Sequence, residues 1–348
     1  MNNLKIIAHY LPQYHPIPEN DEWWGKGFTE WTNVAKAKPL YKGHVQPRLP
    51  KDLGFYDLRL PETREQQAKM AKDAGITGFC YWHYWFGNGK RILERPFNEV
   101  LESKSPALPF CLGWANETWS GIWHGDDKRI LMEQQYLGEK DQDLHFQFLL
   151  KAFKDERYIK VNNKPLLYIY RPQNIPNTKE YLSYWNKQAI DHGLAGIHFV
   201  ASKYYESYQE DGFNAFVDSL PFIPFLKTTL KNRILRKISN VPMVKSYQDF
   251  VFSQHFKRTL QNDEYPSILP GWDNTPRSGT KGIVYENATP QLFKKHLEII
   301  LKQVKEQGKD DIIFLKSWNE WAEGNVLEPD QIYGSQFLDV LKEVLSES

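Results

Sequence analysis

The sequence predicts an α/β fold, a (β/α)8 barrel of the TIM type that occupies residues 1–348 as a single domain. Short apolar runs recur eight times along the chain, and charge-rich stretches of helical character separate them. Polar and aromatic residues collect directly after the runs. An open doubly wound sheet is the alternative, but no glycine-rich phosphate loop follows any of the runs.

The eight apolar runs are the predicted strands of the barrel. They cover residues 5–10, 76–82, 108–116, 165–171, 196–202, 215–221, 267–274 and 311–318. Between them, residues 61–75 have a helical period and end in glycine, and residues 290–308 repeat that arrangement after a Thr-Pro start. The alternation of strand and helix favours a parallel sheet closed on itself.

Two long loops interrupt the pattern. Residues 12–54 carry few helix signals but several tryptophans, and we expect them to form an ordered lid over one end of the barrel. The insertion from Leu226 to Lys245 contains six cations and no acid, with apolar residues four apart, which predicts a basic amphipathic helix. It would touch a membrane surface or a lipid-linked glycan, or form a solvated insertion.

The polar and aromatic residues after the strands are the candidate substrate-binding residues, because the carboxyl ends of parallel barrel strands meet at one rim. The alternative for each is a packing or structural hydrogen-bonding role. The candidates are Tyr10, Gln13, His15, Trp31, Tyr81, His83, Trp85, Trp114, Asn116, Glu117, Trp119, Arg171, Trp272, Asp273, Arg277, Trp318 and Asn319.

The segment IIFLKSWNEWAEGNVLEPD contains the candidate catalytic residues, Glu320 and Glu323. By strand alternation Glu320 lies on the same side as Trp318, and Glu323 follows after the chain has begun to turn. Two carboxyl groups in a partly dry site do not both ionise easily, so one holds its proton at neutral pH. Cleavage of a glycosidic bond needs such an acid and base. Glu328 would bind sugar hydroxyls or cap the next helix.

Composition narrows the classes of partner. Basic and acidic residues number 44 and 43, so no global field favours nucleic acid. The aromatic fraction of 15% suits stacking on sugar rings, or else a large core.

Cys80 and Cys111 lie in apolar runs and indicate a reducing compartment, and the start of the sequence has no apolar signal core. We therefore expect a cytoplasmic location, with membrane contact only at the inner face.

Several strings resemble one family: AHYLPQYHPIPENDEWWGKGFTEWTNV, GHVQPRLPKDLGFYDLR, GFCYWHYWF, LGWANETW, RYIKVNNKPLLYIYRP, PGWDNTPR and SWNEWAEGNVLEPD. They are similar to the WbsX-type family of bacterial surface-polysaccharide loci over nearly the whole chain. Through the barrel and the W-N-E-W-x-E-G segment, the chain also resembles glycoside hydrolase family 99, the retaining endo-α-1,2-mannosidases and mannanases.

This resemblance implies a (β/α)8 barrel and a retaining glycoside hydrolase or transglycosylase that acts on a bacterial polysaccharide or oligosaccharide. Glu320 would be the base on the substrate's 2-hydroxyl, whose attack on the anomeric carbon gives a 1,2-anhydro sugar. Glu323 would protonate the leaving group and then activate water or another acceptor. Double displacement with a glutamate nucleophile stays open.

Two other classes of function remain. A glycosyltransferase in the biosynthesis of O-antigen lipopolysaccharide or capsular polysaccharide fits the loci of the family and the absence of a signal peptide. A non-catalytic sugar-binding barrel is disfavoured because Glu320 and Glu323 are both present. No cofactor is expected, and no metal, since the histidines lack a ligand spacing such as H-E-x-x-H.

Overall fold

The computed structural model of this chain describes residues 4–121, 126–217, 240–307 and 312–347. A ring of parallel strands stands at its centre. The strands are β1 (Lys5–Tyr10), β2 (Gly78–His83), β3 (Phe110–Trp114), β4 (Lys164–Ile169), β5 (His198–Ala201), β6 (Ala215–Val217), β7 (in two parts, Glu264–Tyr265 and Ser267–Ile268) and β8 (Ile312–Leu315).

The pairing of the strands closes the ring. From β1 to β6 each strand pairs with the next along the chain. The first part of β7 pairs with β6, its second part pairs with β8, and β8 pairs with β1 through Ile312 and Lys5. The predicted (β/α)8 barrel is therefore confirmed.

Helices follow most strands and bury one face each. The longer ones are Pro61–Asp73, Arg95–Ser103, Glu139–Phe153, Thr178–Asp191, Pro290–Glu306 and Gln336–Ser346, and the shorter ones are Pro18–Trp24, Glu30–Lys36, Tyr247–Val251 and Thr275–Ser278. The two helices predicted from sequence are among them. The Thr289 hydroxyl caps the second of these, accepting from the Leu292 N–H at 3.3 Å.

Short strands outside the ring form hairpins and ribbons. They are Trp119–Gly121 with Asp126–Met132, Lys160–Val161 beside β4, Met243–Ser246 with Ile283–Glu286, and Asn319–Glu320 with Asn325–Val326.

The barrel strands are buried on both faces, as parallel strands covered by helices are. The interior is filled by side chains rather than solvent. The imidazole of His9 lies 4.9 Å from the Trp82 ring, 5.0 Å from Tyr168 and 5.4 Å from Phe314. Burial lowers the pKa of His9 to about 3, so this ring is neutral. Cys80 and Cys111 are buried and unbridged, as expected.

The predicted seventh strand, 267–274, is placed too late along the chain. The observed strand begins at Glu264, whose carboxylate is buried and accepts a hydrogen bond from Arg258 Nη1 at 2.6 Å. An acid in the run QNDEY is typical of a turn, and only its pairing with arginine lets it enter the sheet. After Ile268 the chain leaves the barrel.

Three other predicted segments differ from the structure or lie partly outside it. Of the sixth strand, residues 218–221 lie outside the described residues, and so does Asp311 at the start of the eighth. The basic insertion lies outside them up to residue 239. Its last part is not helical, because Met243–Ser246 is a strand paired with Ile283–Glu286. Within the described parts of the chain, no helix is long and apolar enough to cross a membrane.

The first long loop contains more regular structure than its sequence predicts. Its two helices, Pro18–Trp24 and Glu30–Lys36, have seven residues each. The second begins with a capping box between Thr29 and Thr32, a weak sequence signal since threonine seldom fills the N3 position. The loop is tied to the other end of the chain, where the Lys51 N–H donates to Pro329 O at 3.0 Å.

Candidate active site

A cavity of about 1250 Å³ opens at the rim formed by the carboxyl ends of the strands. Its wall comes from the segments that follow β1, β2, β3, β4, β7 and β8. Active sites of TIM barrels lie at this end. Glu320 and Glu323 both face this cavity.

A tight turn presents the two glutamates. The Glu320 N–H donates to the Ser317 hydroxyl at 3.0 Å, and Trp321–Glu323 forms a single 3-10 turn. The turn ends at Gly324, which has a φ of 65°. A Cβ at that position would meet the Asp273 nitrogen at 2.7 Å, so only glycine fits there.

The side chain of Tyr14 holds the backbone beside Glu320. The buried hydroxyl of Tyr14 donates to the carbonyl of Asn319 and accepts from the Trp321 N–H at 3.3 Å. It therefore fixes the peptide groups on both sides of Glu320.

Arg277 links the carboxylates of the site. Its Nη2 lies 3.1 Å from Glu320 Oε2 and its Nη1 lies 2.6 Å from Glu323 Oε1. Its Nε lies 2.8 Å from a third carboxylate, Glu30 Oε1. The planar guanidinium has donors for all three carboxylates at once. Asn33 adds a donor, with its Nδ2 3.2 Å from Glu30 Oε1.

The geometry determines the protonation of Glu320 and the charge of Arg277. Burial, and then the negative charge of Glu323, raise the pKa of Glu320 to about 7, while Arg277 and Lys316 oppose the rise. Glu320 is therefore close to half protonated at neutral pH. The carboxylates in turn hold the pKa of Arg277 above its usual value, so the guanidinium stays charged.

Five of the predicted substrate-binding residues line the cavity: Gln13, Glu117, Trp119, Arg171 and Arg277. Arg171 Nη2 lies 2.9 Å from Glu117 Oε1, and these residues stand after β4 and β3.

Five others point away from the cavity and do not line it: Tyr10, Tyr81, His83, Trp85 and Trp114. The Tyr10 hydroxyl donates to Gln67 at 2.7 Å and His83 Nε2 lies 2.8 Å from His145 Nε2, both on the helix side of the barrel. The Trp85 ring stacks on His145 at 4.4 Å, and Trp114 Nε1 donates to the carbonyl of Trp85 at 3.2 Å. Successive strand residues face opposite sides, and these occupy the outer one.

Four more predicted residues support the rim loops instead of lining the cavity. Asn319 Oδ1 accepts from the Leu11 N–H at 2.7 Å, and Asn116 Oδ1 accepts from the Arg171 N–H at 2.7 Å. Trp31 Nε1 donates to the carbonyl of Tyr56 at 2.8 Å, and the His15 ring lies 3.0 Å from Pro12 O.

Near β7, Trp272 and Asp273 also lie outside the cavity lining. Asp273 accepts from Gln46 Nε2 at 2.7 Å and from the Thr275 hydroxyl at 2.6 Å, and His44 Nε2 lies 2.8 Å away. The Trp272 ring lies under the ammonium of Lys316 at 5.4 Å. Asp273 therefore braces the start of the helix that carries Arg277.

Trp318 and Glu328 are buried behind the glutamate turn. Trp318 packs on Phe79 at 5.3 Å rather than beside Glu320, because β8 ends at Leu315 and the alternation stops there. Glu328 accepts from Trp321 Nε1 at 2.7 Å, from the Tyr56 hydroxyl and from Gln67. Glu328 therefore holds the glutamate turn from behind and does not line the cavity. Burial raises its pKa to about 7.

Sequence reasoning missed part of the lining. The missed residues include Trp24, Glu30, Lys36, Lys38, Trp82, Tyr84, Tyr170, Lys281 and Lys316. In the run YWHYWF, the alternate positions of Trp82 and Tyr84 face the cavity. The period of two was visible, but not which of the two faces was the inner one. Within the described residues, no group of three or more His, Cys, Asp or Glu is placed to hold a metal ion.

Protein families and curated proteins similar to this chain show the family to which it belongs. A family model described as "Glycosyltransferase WbsX" matches residues 6–341. "Uncharacterized protein WxcX" from Xanthomonas campestris pv. campestris, found in two strains, is 37% identical over 351 residues, which cover 99% of this chain and 50% of that protein. The chain thus spans about half the length of the curated relatives it matches.

Solved structures share the fold. A GH99 endo-alpha-mannosidase from Bacteroides thetaiotaomicron superposes with a TM-score of 0.59 and 15% identity, over 98% of this chain and 96% of that one. A glycoside hydrolase-like protein superposes with a TM-score of 0.60 and 15% identity, over 98% and 93% of the two chains.

Proposed function

Given that this chain belongs to the WbsX family of carbohydrate-active enzymes, we propose that it is a retaining glycoside hydrolase or transglycosylase acting on a bacterial polysaccharide or oligosaccharide. One observation carries the proposal: Glu320 and Glu323 face one cavity and share the guanidinium of Arg277. A pair of carboxyl groups in one cavity is what glycosidic cleavage requires.

The two glutamates have different roles in the proposed reaction. The productive complex needs an ionised Glu320 as the base and a proton on Glu323 as the acid. A glutamate whose pKa is near 7 is a stronger base than an ordinary glutamate, which suits removal of a proton from a sugar hydroxyl.

The first step forms the intermediate from the sugar itself. Glu320 takes the proton of the substrate's 2-hydroxyl while the 2-oxygen attacks the anomeric carbon, and Glu323 gives its proton to the leaving oxygen. In the second step Glu323 takes a proton from water or a sugar acceptor, which opens the 1,2-anhydro ring at the anomeric carbon. Glu320 returns its proton to the 2-oxygen. Two inversions at one carbon give retention.

Arg277 and Glu30 position the pair. Arg277 fixes both carboxylates by hydrogen bonds, and Glu30 in turn holds the guanidinium in place through Nε. The aromatic rings of Trp24, Trp119 and Tyr170 in the wall offer apolar faces for the C–H faces of sugars.

A glycosyltransferase that uses an activated sugar donor is the second candidate, favoured by the name of the matched family, Glycosyltransferase WbsX. Among the residues that the structure describes, the lining has no glycine-rich turn of the G-x-G-x-x-G or P-loop type that binds nucleotide phosphates. The test is incubation of the purified protein with bacterial polysaccharides and, separately, with nucleotide sugars and acceptors, with products measured by mass. Release or exchange of oligosaccharide without a donor supports the first candidate, and extension that needs a nucleotide sugar replaces it with the second.

A further inference from the structure

The lining of the cavity includes two tyrosines, Tyr84 after β2 and Tyr170 after β4. Neither hydroxyl has a hydrogen-bond partner among the residues that the structure describes. The hydroxyl of Tyr10, on the helix side of the barrel, is by contrast bonded to Gln67. Polar groups that are shielded from solvent are nearly always paired, so the two hydroxyls of the lining are free to bind a ligand.

Neighbouring side chains hold both tyrosine rings in place. Tyr84 is only 7% exposed, and its ring lies edge-on to the ring of Trp119 at a centroid distance of 5.2 Å. The guanidinium carbon of Arg171 lies 4.3 Å from the centre of the Tyr170 ring. Trp82 connects the two tyrosines, because its ring lies edge-on to Tyr170 at 5.7 Å and packs against the apolar cluster that contains Tyr84. We call Trp82, Tyr84 and Tyr170 the tyrosine face of the cavity.

The tyrosine face lies across the cavity from the catalytic carboxylates. Tyr170 follows β4 and Glu320 follows β8, and these strands are four positions apart in the ring of eight. Burial, and then the negative charge of Glu320, raise the pKa of Tyr84. Burial also raises the pKa of Tyr170 to about 12, and the charges of Glu117 and Glu323 add to the rise. Both hydroxyls therefore keep their protons at neutral pH, and the charge of the catalytic pair acts on both.

The two walls of this part of the cavity differ in their hydrogen-bonding capacity. A tyrosine hydroxyl that keeps its proton is a donor, whereas an ionised carboxylate only accepts. A ligand between them must accept on one side and donate on the other. A sugar hydroxyl does both, while an ionised carboxylate on the ligand would only accept and would be repelled by the glutamates. The ring of Trp82 adds an apolar surface for the C–H face of a sugar.

We propose that Tyr84 and Tyr170 bind the sugar unit whose anomeric carbon reacts, by donating hydrogen bonds to hydroxyls of that unit. The glutamates contact the same unit from the opposite wall, so the tyrosine face selects a neutral sugar for this position. This inference rests on the proposed function, because it assigns the second wall of the same catalytic subsite. A sugar that lacks a contacted hydroxyl leaves a tyrosine donor unpaired and is disfavoured.

The experiment measures the binding of two iminosugars, 1-deoxynojirimycin and 1-deoxymannojirimycin, by calorimetry. Their protonated ring nitrogen can pair with the glutamates, and their hydroxyls take the places of those of the reacting sugar. The variants are Tyr84→Phe and Tyr170→Phe, which each remove one oxygen. The control is Tyr204→Phe, at a position that is 51% exposed and outside the cavity lining, where the hydroxyl also has no bond to any described residue.

We expect at least one iminosugar to bind the parent protein, and each tyrosine variant of the lining to raise its Kd about fivefold, the loss of one hydrogen bond. Tyr204→Phe should change the Kd less than about twofold. The melting temperature should match that of the parent in all three variants, because no hydroxyl that they remove is bonded within the described structure.

Three results would overturn the inference. The first is a Kd for Tyr84→Phe or Tyr170→Phe that equals the Kd of the control variant. The second is the absence of binding of either iminosugar to the parent. The third is a lower melting temperature with an unchanged Kd, which would give the hydroxyl a structural role.

Turnover separates this inference from the proposed function. On a glycan that the parent cleaves, kcat/KM of both lining variants should fall about fivefold or more, and that of Tyr204→Phe should not. If a glycan is cleaved and the iminosugar Kd does not depend on the tyrosines, the proposed function stands and the inference is refuted. If the Kd depends on the tyrosines and no glycan is cleaved, the tyrosine face binds a sugar and the proposed function fails.

Discussion

Replacing Glu30 by glutamine should shift the pH dependence of the enzyme without changing its shape. Glutamine keeps the volume and one oxygen of the side chain but removes its charge. Glu30 raises the pKa of Glu320 by direct repulsion, and it also draws Arg277 toward itself. Both effects disappear in Glu30→Gln, so the pKa of Glu320 should fall from about 7.

The size of the shift follows from the contacts. Glu30 Oε1 lies 2.8 Å from Nε of Arg277, and Glu320 Oε2 lies 3.1 Å from Nη2 of the same guanidinium. The width of the guanidinium therefore puts the two carboxylates at most about 8 Å apart. Two unit charges at that separation interact by about 2 kcal/mol at an effective dielectric constant of about 20. That corresponds to about 1.5 pKa units before the charges relax. We expect a shift of about one unit.

The assay is the pH profile of kcat/KM, which reports ionisations of the free enzyme. Glu320 must be ionised to act as a base, so activity in the parent should rise as pH passes through about 7. In Glu30→Gln this rise in activity should occur about one pH unit lower. The control is Glu210→Gln, at an exposed position outside the cavity lining, which should leave the pH of the rise unchanged. A rise that stays fixed or moves to higher pH would refute the reasoning.

Three further predictions test the support of the pair and its mechanism. Tyr14→Phe should lower kcat several-fold more than Tyr158→Phe, although both variants should lose about 1 kcal/mol of stability. Both hydroxyls bridge two backbone groups, but only that of Tyr14 lies beside Glu320. Equal kcat values for the two variants would contradict this. The pKa of Glu328 is raised to about 7, so the stability that this group contributes is present below the ordinary glutamate pKa and is lost as pH rises to 7. In Glu328→Gln, the melting temperature should therefore change less with pH across this range. An unchanged dependence of melting temperature on pH would contradict this. An activated 2-fluoro glycoside of the correct sugar should leave the intact protein mass unchanged, since the 1,2-anhydro route needs the 2-hydroxyl; an added glycosyl mass at Glu320 would restore double displacement.

The barrel could be predicted because its strands are apolar runs buried on both faces, and their order along the chain is their order in the ring. The same burial concealed which side of each strand faces the cavity. In β2, the sequence around Tyr81 and His83 is as apolar as that around Trp82. Only the closed ring shows that Trp82 is the residue that points toward the cavity. A strand with one solvated face would have revealed its orientation by alternation.

The glutamate pair could be predicted because both members lie in one short segment with unusual flanks. Glu30 could not, because it reaches Arg277 across 247 positions of sequence and only the folded rim brings them together. For a related reason, the sequence could not show that Asp273, Asn319 and Glu328 lie outside the cavity lining. A buried polar residue that fastens two loops has the same local sequence context as one that binds a ligand, and the partners decide which it is.

The measurement that tests the central claim most directly is the turnover of Glu320→Gln and Glu323→Gln on the glycan that the parent cleaves. Glu117→Gln is the matched control, since it also removes a carboxylate that lines the cavity and contacts an arginine. We predict that each of the first two variants loses at least about a hundredfold in kcat, the size of general acid–base effects, while keeping the thermal stability of a folded barrel. Near-parental kcat in either folded variant would contradict the assignment of the reaction to this pair.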